Sequence, residues 1–431
     1  MDLRRVIACL RPVGLVVLTA LIQCGCATPA LDSARHNFYA GQFDKANETL
    51  DSAKVPDNNK VLFNMERGTV RLFAGRYETS ARDYIAASDE LDRLETYSVS
   101  KGTASWVVND TVQSFRGTPY ERTLLHAFTA KDHLAMANWD NAAVEARRII
   151  KSLDPAVRGD YPEDAYSRYM AGFCLEMIDD DSNARIQYQR ASSLLSGIKV
   201  DEDTGHILPA PESAAGTNNT GAVASPIVAD DKRWPHELVC FVLLGHSARG
   251  SDVWQQNWTP GQPMYAEIHR NGQYLGRSYN LADTVELAYT TDQIEAVRKM
   301  IKTVGRVVVK EAIASSLEAN DNELLGELVR FVLIGLLERP DIRRWETLPR
   351  WLQVARVPCP PDLTNYDVVL KTFNGVTIRT LHVENPITRR RNTFVSFCRD
   401  IVPASGSVSI PPRNGKEPRP GALQSAVTDP E

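Results

Sequence analysis

The strongest constraint on this chain is a repeat of 34 residues in its first half. Gly41, Phe43, Ala46, Leu50 and Ala53 recur as Gly75, Tyr77, Ser80, Tyr84 and Ala87, each 34 residues on. The pattern returns as Ala137, Trp139, Ala142, Ala146 and Ile149, and most degenerately as Asp179, Asp181, Ala184, Tyr188 and Ala191. That period is one helix-turn-helix of tetratricopeptide length. Seven residues before each turn stands a small residue, Ala34, Gly68, Ala130 and Gly172, where two helices must approach closely. One such pair buries too little surface to stand alone, whereas stacked pairs share a core and expose a concave face that suits protein or peptide partners. The second and third copies lie 62 residues apart, so an insertion is expected near 88–121.

Ahead of the repeats, Arg4, Arg5 and Arg11 precede the apolar run Val13 to Ile22 and the sequence Leu21-Ile22-Gln23-Cys24-Gly25-Cys26. A charged start, a short apolar stretch and a small residue before a cysteine read as a lipoprotein signal over 1–25, cleaved and lipidated at Cys26. The run is shorter than the roughly 20 apolar residues a membrane span requires. Ala27 follows the cysteine, and by resemblance to enteric sorting this favours an outer-membrane anchor facing the periplasm.

At 431 residues and 43% hydrophobic content the chain is large enough for more than one core. Its formal charge of −5, with no basic stripe, argues against nucleic acid as a partner. Cys174, Cys240, Cys359 and Cys398 show no CxxC or metal-ligand spacing. Buried free thiols are the expectation, with pairing among the last three left open.

After 200 the helical period stops. Residues 201–232, rich in Pro, Ser, Ala and Asn, read as a flexible linker. Leu238 to Leu244 is a short apolar run expected to be a buried strand. Asn271-Gly272 and Asn374-Gly375 each sit between alternating segments and predict hairpins, over 264–278 and 366–383. Helices are expected over 291–319 and 322–337, a further strand over 393–399, and a disordered tail over 403–431. The fold class is therefore α+β, with a tetratricopeptide-like α-solenoid over 26–200 followed by a smaller mixed α+β domain over 233–402.

No convergent reactive set emerges. Gly245-His246-Ser247-Ala248-Arg249-Gly250 lacks the GxSxG spacing of a nucleophile elbow. Asp179-Asp180-Asp181 lacks the alternation of a calcium loop and reads as a solvated turn and N-cap. His246 and His269 read as surface or hydrogen-bonded side chains, Arg389-Arg390-Arg391 as a hairpin tip, and Trp345 as a core anchor. No catalytic residue, metal or cofactor is assigned. Gly117-Thr118-Pro119 ends one segment, and a helix restarts with Glu121 in its first turn, where the macrodipole favours an anion. Tyr120, Glu121 and Arg122 are either a structural corner or, as the candidate binding residues, a set facing a partner in the concave groove.

Three blocks carry a wider likeness. Val108-Asn109-Asp110 with Phe115-Arg116-Gly117-Thr118-Pro119-Tyr120-Glu121-Arg122 is one, and Asp341-Ile342-Arg343-Arg344-Trp345-Glu346-Thr347-Leu348-Pro349 with Gln353-Val354-Ala355-Arg356-Val357 is the second. The third is Asn280-Leu281-Ala282-Asp283 with Gly305-Arg306 and Lys310. Together they resemble a family of uncharacterised bacterial lipoproteins with tetratricopeptide-like repeats, from which Phe115 and Cys359 are departures. The resemblance implies a lipid anchor and a repeat array, and the family has no settled biochemical activity to carry over. The expectation is a membrane-anchored, non-enzymatic scaffold for a protein partner in the cell envelope. A glycan-binding or hydrolytic module in the C-terminal domain is the alternative.

Overall fold

The computed structural model describes residues 29–101, 114–209, 233–249, 263–298, 342–384 and 388–404. Cys26 and its leader, Val108 to Asp110, residues 210–232, the helices expected beyond 298 with Gly305, Arg306 and Lys310, and the tail beyond 404 lie outside the described residues.

The repeat positions become helical hairpins: α1 (Pro29–Tyr39) with α2 (Phe43–Asp51), then α3 (Lys60–Phe73) with α4 (Tyr77–Lys101). The third pairs α5 (Pro119–Ala135) with α6 (Trp139–Ser152). After a single turn, α7 (Pro155–Arg158), comes the pair α8 (Ala165–Glu176) and α9 (Asp181–Ser193). All four close in the same way. Gly41, Gly75, Ala137 and Asp179 take φ of 74°, 73°, 56° and 69°. The next residue then donates its N–H five residues back, Gln42 to Asn37, Arg76 to Arg71, Asn138 to His133 and Asp180 to Leu175, at 2.8–3.0 Å. This is the Schellman closure, which needs a left-handed residue and therefore favours glycine. The small residues ahead of the turns do what their spacing implies. A Cβ on Gly68 would lie 2.5 Å from the Tyr84 ring, and one on Gly172 would lie 2.9 Å from the Tyr188 ring.

Part of the insertion is taken up by α4, which runs to Lys101. Helix α5 then starts at Pro119 with a full capping box, because Thr118 and Glu121 satisfy each other's backbone ends.

Strands β1 (Ile198–Val200) and β2 (Ile207–Pro209) form a hairpin that follows α9 directly. This corrects the expectation that a flexible linker begins at 201. The Asp201 carboxylate accepts the N–H groups of Asp203 and Thr204, closing the turn with a side chain rather than with a recognisable turn dipeptide.

The remaining strands are β3 (Glu237–Leu244), β4 (Tyr265–Arg270), β5 (Gln273–Arg277), β6 (Tyr279–Asp283), β7 (Trp351–Pro358), β8 (Asn365–Lys371), β9 (Thr377–Glu384), β10 (Thr388–Arg390) and β11 (Thr393–Arg399). A five-stranded sheet has the order β10-β11-β3-β7-β6, and a four-stranded one the order β5-β4-β8-β9. Pairing is antiparallel except between β11 and β3, which run parallel. Asn271, Gly272 and Gly375 hold the left-handed turns expected of both Asn-Gly hairpins. A helix at 284–298, α10, begins earlier than the expected 291, with the Asp283 carboxylate accepting the first N–H groups.

Strand β3 is buried along its whole length, and its alternate residues serve two different layers. Val239, Phe241 and Leu243 pack with the helices, and Phe241 meets the rings of Tyr166, Tyr169 and Phe173. Leu238, Cys240, Val242 and Leu244 pack against the four-stranded sheet. The protein is thus mixed α+β in three layers, helices, five-stranded sheet and four-stranded sheet. One continuous core runs from Leu31 on α1 to Val395 on β11. The two-domain division at 201–232 is corrected accordingly, because the helices and the five-stranded sheet do not have separate cores. Fully burying one such apolar side chain contributes about 1.5–3 kcal/mol, so either part alone would expose a large apolar face.

At the turns, Ala137 holds a backbone conformation that glycine adopts more readily. Ala137→Gly is expected to raise unfolding stability by about 0.5–1 kcal/mol, and Gly68→Ala to lower it by about 1–3 kcal/mol through overpacking against Tyr84. Denaturant melts of both variants check this; stabilisation by Gly68→Ala would contradict the helix packing described.

Candidate functional site

The inner side of the helices is filled by the chain itself. Trp345 is fully buried there against Tyr84 and Phe128, with ring centroids 5.7 and 5.3 Å away, and its Nε1 donates to Thr69 Oγ1 at 2.9 Å. The neighbouring main chain is held by charged side chains of three hairpins. Glu121 Oε1 accepts the Trp345 N–H at 2.8 Å, and Glu66 Oε1 accepts the Glu346 N–H at 3.0 Å. Arg35 donates to the Arg344 carbonyl at 2.9 Å while also bonding Glu66 at 2.6 Å, and the Tyr39 hydroxyl donates to the Glu346 carbonyl. Arg343 reaches the Asn58 carbonyl and Asn59 Oδ1, and Arg344 bonds Asp292 on α10.

Of the candidate binding residues, Tyr120 and Glu121 face inward. Tyr120 is buried in the core, and Glu121 holds Trp345 with one oxygen and Thr118 with the other. Burial pushes the Glu121 carboxyl up, and the hydrogen bonds from Thr118 and Trp345 work against that shift. Arg122 bonds Glu95 on α4 and the Arg116 carbonyl. Tyr120 and Glu121 therefore form the structural corner, and what Glu121 holds is the chain's own segment at 345, whereas Arg122 stays partly exposed. Trp345 is a core anchor.

A second polar centre joins the fourth hairpin to the sheet. Arg356 on β7 is buried between two carboxylates, Glu176 at the end of α8 and Glu237 at the start of β3. It bonds Glu176 at 2.8 and 3.0 Å and Glu237 at 2.6 and 2.9 Å, so both contacts are bidentate. The Tyr188 and Thr393 hydroxyls donate to Glu176 and Glu237, and His206 from the β1–β2 hairpin lies 3.3 Å from Glu237. Trp234 stacks on His206 at 3.7 Å, beside a cleft of about 230 Å³ that Arg233 and Arg391 also line. Both carboxylates are committed to Arg356, so the centre acts as a clasp, and neither is available as a general base.

Other sequence motifs are dispersed. The Ser247 hydroxyl meets Thr284, whereas His246 packs on the Tyr39 ring at 4.0 Å. His269 pairs with Glu267 on the outer sheet, so the structure does not bring it to His246. Asp180 is the N-cap of α9, and Asp179 beside it pairs with Arg390 and Arg391 of the β10–β11 turn. The four cysteines from 174 onward are free, and burial pushes the Cys240 thiol up to about 12. Among the described residues no helix is long and apolar enough to cross a membrane, and no three His, Cys, Asp or Glu side chains group to hold a metal.

Glu66, Arg35, Glu176 and Glu237 were not singled out from sequence, and Arg356 stood only within a block of family likeness, with no role given to it. The signal they left is a charge on a face otherwise made of core residues, as with Glu66 between Phe63, Met65 and Val70. Comparison with family models, curated proteins and solved structures gives no match.

The clasp gives a pH prediction. Burial works to raise the Glu237 carboxyl, but the Arg356 charge and the hydrogen bonds from His206 and Arg356 outweigh it, holding Glu237 well below its ordinary 4.5. A carboxyl depressed in the folded state contributes stability that is present above about pH 4.5 and lost as pH falls toward the folded value. Glu237→Gln should cost about 3 kcal/mol at pH 7, and the gap to wild type should narrow as pH drops below 4.5. Urea melts across pH measure it; a gap that widens in acid would contradict the assignment.

Proposed function

We propose that this chain is a membrane-anchored envelope lipoprotein, tethered through Cys26, whose helical hairpins form a tetratricopeptide-like α-solenoid. It acts as a non-enzymatic scaffold for a protein partner in envelope assembly, on the outer membrane facing the periplasm. The solenoid reading is supported by four hairpins with one closure geometry and by the 34-residue offset. Because the inner face is already filled at Trp345, the partner surface lies elsewhere.

The observation that carries this reading is the tip and edge of the β8–β9 hairpin. Phe373 is 75% exposed, Val376 63% and Ile378 39%, beside β9 at the edge of its sheet. Clustered exposed apolar side chains next to an unpaired strand edge suit a protein that docks alongside that edge. The test places a photo-crosslinking residue at 373 in intact cells, with the exposed Val157 on α7 as control position. A discrete adduct from 373, absent from 157 and lost with Cys26→Ala, is expected. No adduct from 373, or the same adducts from both sites, overturns the reading.

A second reading, a glycan-binding or hydrolytic module, draws on the outer face of the four-stranded sheet. There the Arg277 guanidinium lies 4.0 Å from the Tyr265 ring and His269 meets Tyr274 edge-on. Retention of the whole protein on peptidoglycan, weakened by Tyr274→Ala, would favour it. The fragment 233–402 is unsuitable for such a test because Val239, Phe241 and Leu243 would lose their helical cover.

A further inference from the structure

The cleft of about 230 Å³ beside the Arg356 clasp is bordered by Arg233 and Trp234, just ahead of β3, and by Arg391 and Asn392 in the β10–β11 turn. His206 covers one face of Trp234, with the two rings 18° from parallel, and the half-exposed remainder of the indole lines the cleft. The Arg233 and Arg391 side chains that line it are 53% and 55% exposed. Among the described lining residues only Met177 is apolar besides Trp234.

The donors of this cleft exceed its acceptors. Each of the four oxygens of Glu176 and Glu237 already has two partners: Arg356 on all four, Tyr188 and Arg233 on Glu176, and Thr393 and His206 on Glu237. Those carboxylates therefore have no lone pair left for a cationic ligand. On the donor side, Arg233 uses Nη2 on the Asp203 carbonyl at 2.7 Å and Nη1 on Glu176 at 3.4 Å, and Arg391 gives Nη2 to Asp179 outside the cleft. A guanidinium carries five N–H donors, so most of each fork remains for a ligand, and its planar geometry matches a carboxylate or a phosphate. The exposed Asn392 adds an amide beside Arg391. Since an apolar cavity of about 150 Å³ takes a benzene ring, 230 Å³ admits a six-membered ring with its substituents. A ring that is apolar on both faces would leave this polar lining unpaired. A sugar ring instead rests one C–H face on an indole and offers hydroxyls around its rim.

We propose that this cleft binds an acidic monosaccharide, its oxyanion on Arg233 and Arg391, its ring against Trp234 and a hydroxyl on Asn392. The cleft shares no residue with the β8–β9 edge or with the Tyr265 and Tyr274 face of the outer sheet, so its test leaves both earlier readings where they stand.

The experiment follows the indole N–H resonance of Trp234, assigned by its loss in Trp234→Phe, while the whole protein is titrated with sodium glucuronate, glucose 6-phosphate and glucose. The resonance is expected to shift saturably, with a midpoint for at least one of the two acids at least about tenfold lower than that for glucose, the minimum for a charged hydrogen bond. Which acid it is distinguishes a carboxylate from a phosphate head group. Acetate and inorganic phosphate, which lack the ring, should bind more weakly than the corresponding sugar acid. In the double variant Arg233→Gln, Arg391→Gln the preference for the acid over glucose should fall to about one. Both exchanges are at side chains more than half exposed, so the variant should keep the fold. Equal midpoints for the acids and glucose in wild type, or no shift with any of the three sugars, overturn the proposal without any variant. A preference that survives the double exchange overturns it too, as does binding of acetate or inorganic phosphate as tight as that of the sugar acid, since the ring would then contribute nothing.

Discussion

A chain segment without regular secondary structure brings its peptide groups with it, and residues 344–346 carry theirs into the interior of a helical array. Helices cannot answer them with backbone, because their own N–H and C=O groups are already used. Glu66 and Glu121 accept the two N–H groups, and Arg35 and Tyr39 donate to the two carbonyls. An unanswered buried group costs about 1–3 kcal/mol, so the segment is stable there only while all these side chains are in place. Everything after it in the chain is positioned from this point, since the segment leads within a few residues into β7, a central strand of the five-stranded sheet.

The second fixed point is Arg356, five residues into β7, which ties that strand to the end of α8 and the start of β3. Buried ion pairs of this kind seldom add much net stability, because desolvation offsets the attraction. Their effect is on register. A one-residue slip of β7 would turn Arg356 toward the four-stranded sheet, where Ala355 and Val357 now pack among apolar side chains. Two anchors on either side of the strand, one aromatic and one ionic, therefore determine which face of the sheet the helices cover.

The helical half was legible because its signal is local. A left-handed residue at each turn and a small residue seven places earlier are both demands that a single hairpin makes on its own sequence. The Asn-Gly hairpins and β11 were legible for the same reason. Strand β7 was not read, because Gln353 and Arg356 interrupt its apolar run. Their polar groups are answered by Ser278, the Met264 carbonyl, Glu176 and Glu237, all remote in sequence. The hairpin β1–β2 was hidden behind a polar composition, and its closure depends on Asp201 and on Gly205 packed against Tyr188 and Arg356. Lys131 and Asp132 left no pattern, since α5 is buried on nearly every face and so shows no polar side against which a misplaced charge would stand out.

The parallel pairing of β11 with β3 has a temporal consequence. More than a hundred residues separate these neighbours, and β3 is enclosed only when β11, almost at the end of the described chain, lies beside it. As the polypeptide emerges from its N-terminus, the hairpins can form in sequence, but their inner surface must wait for Trp345 and the apolar face of β3 must wait for residues 393–399. The nascent protein therefore passes through a long interval with a formed but uncovered array.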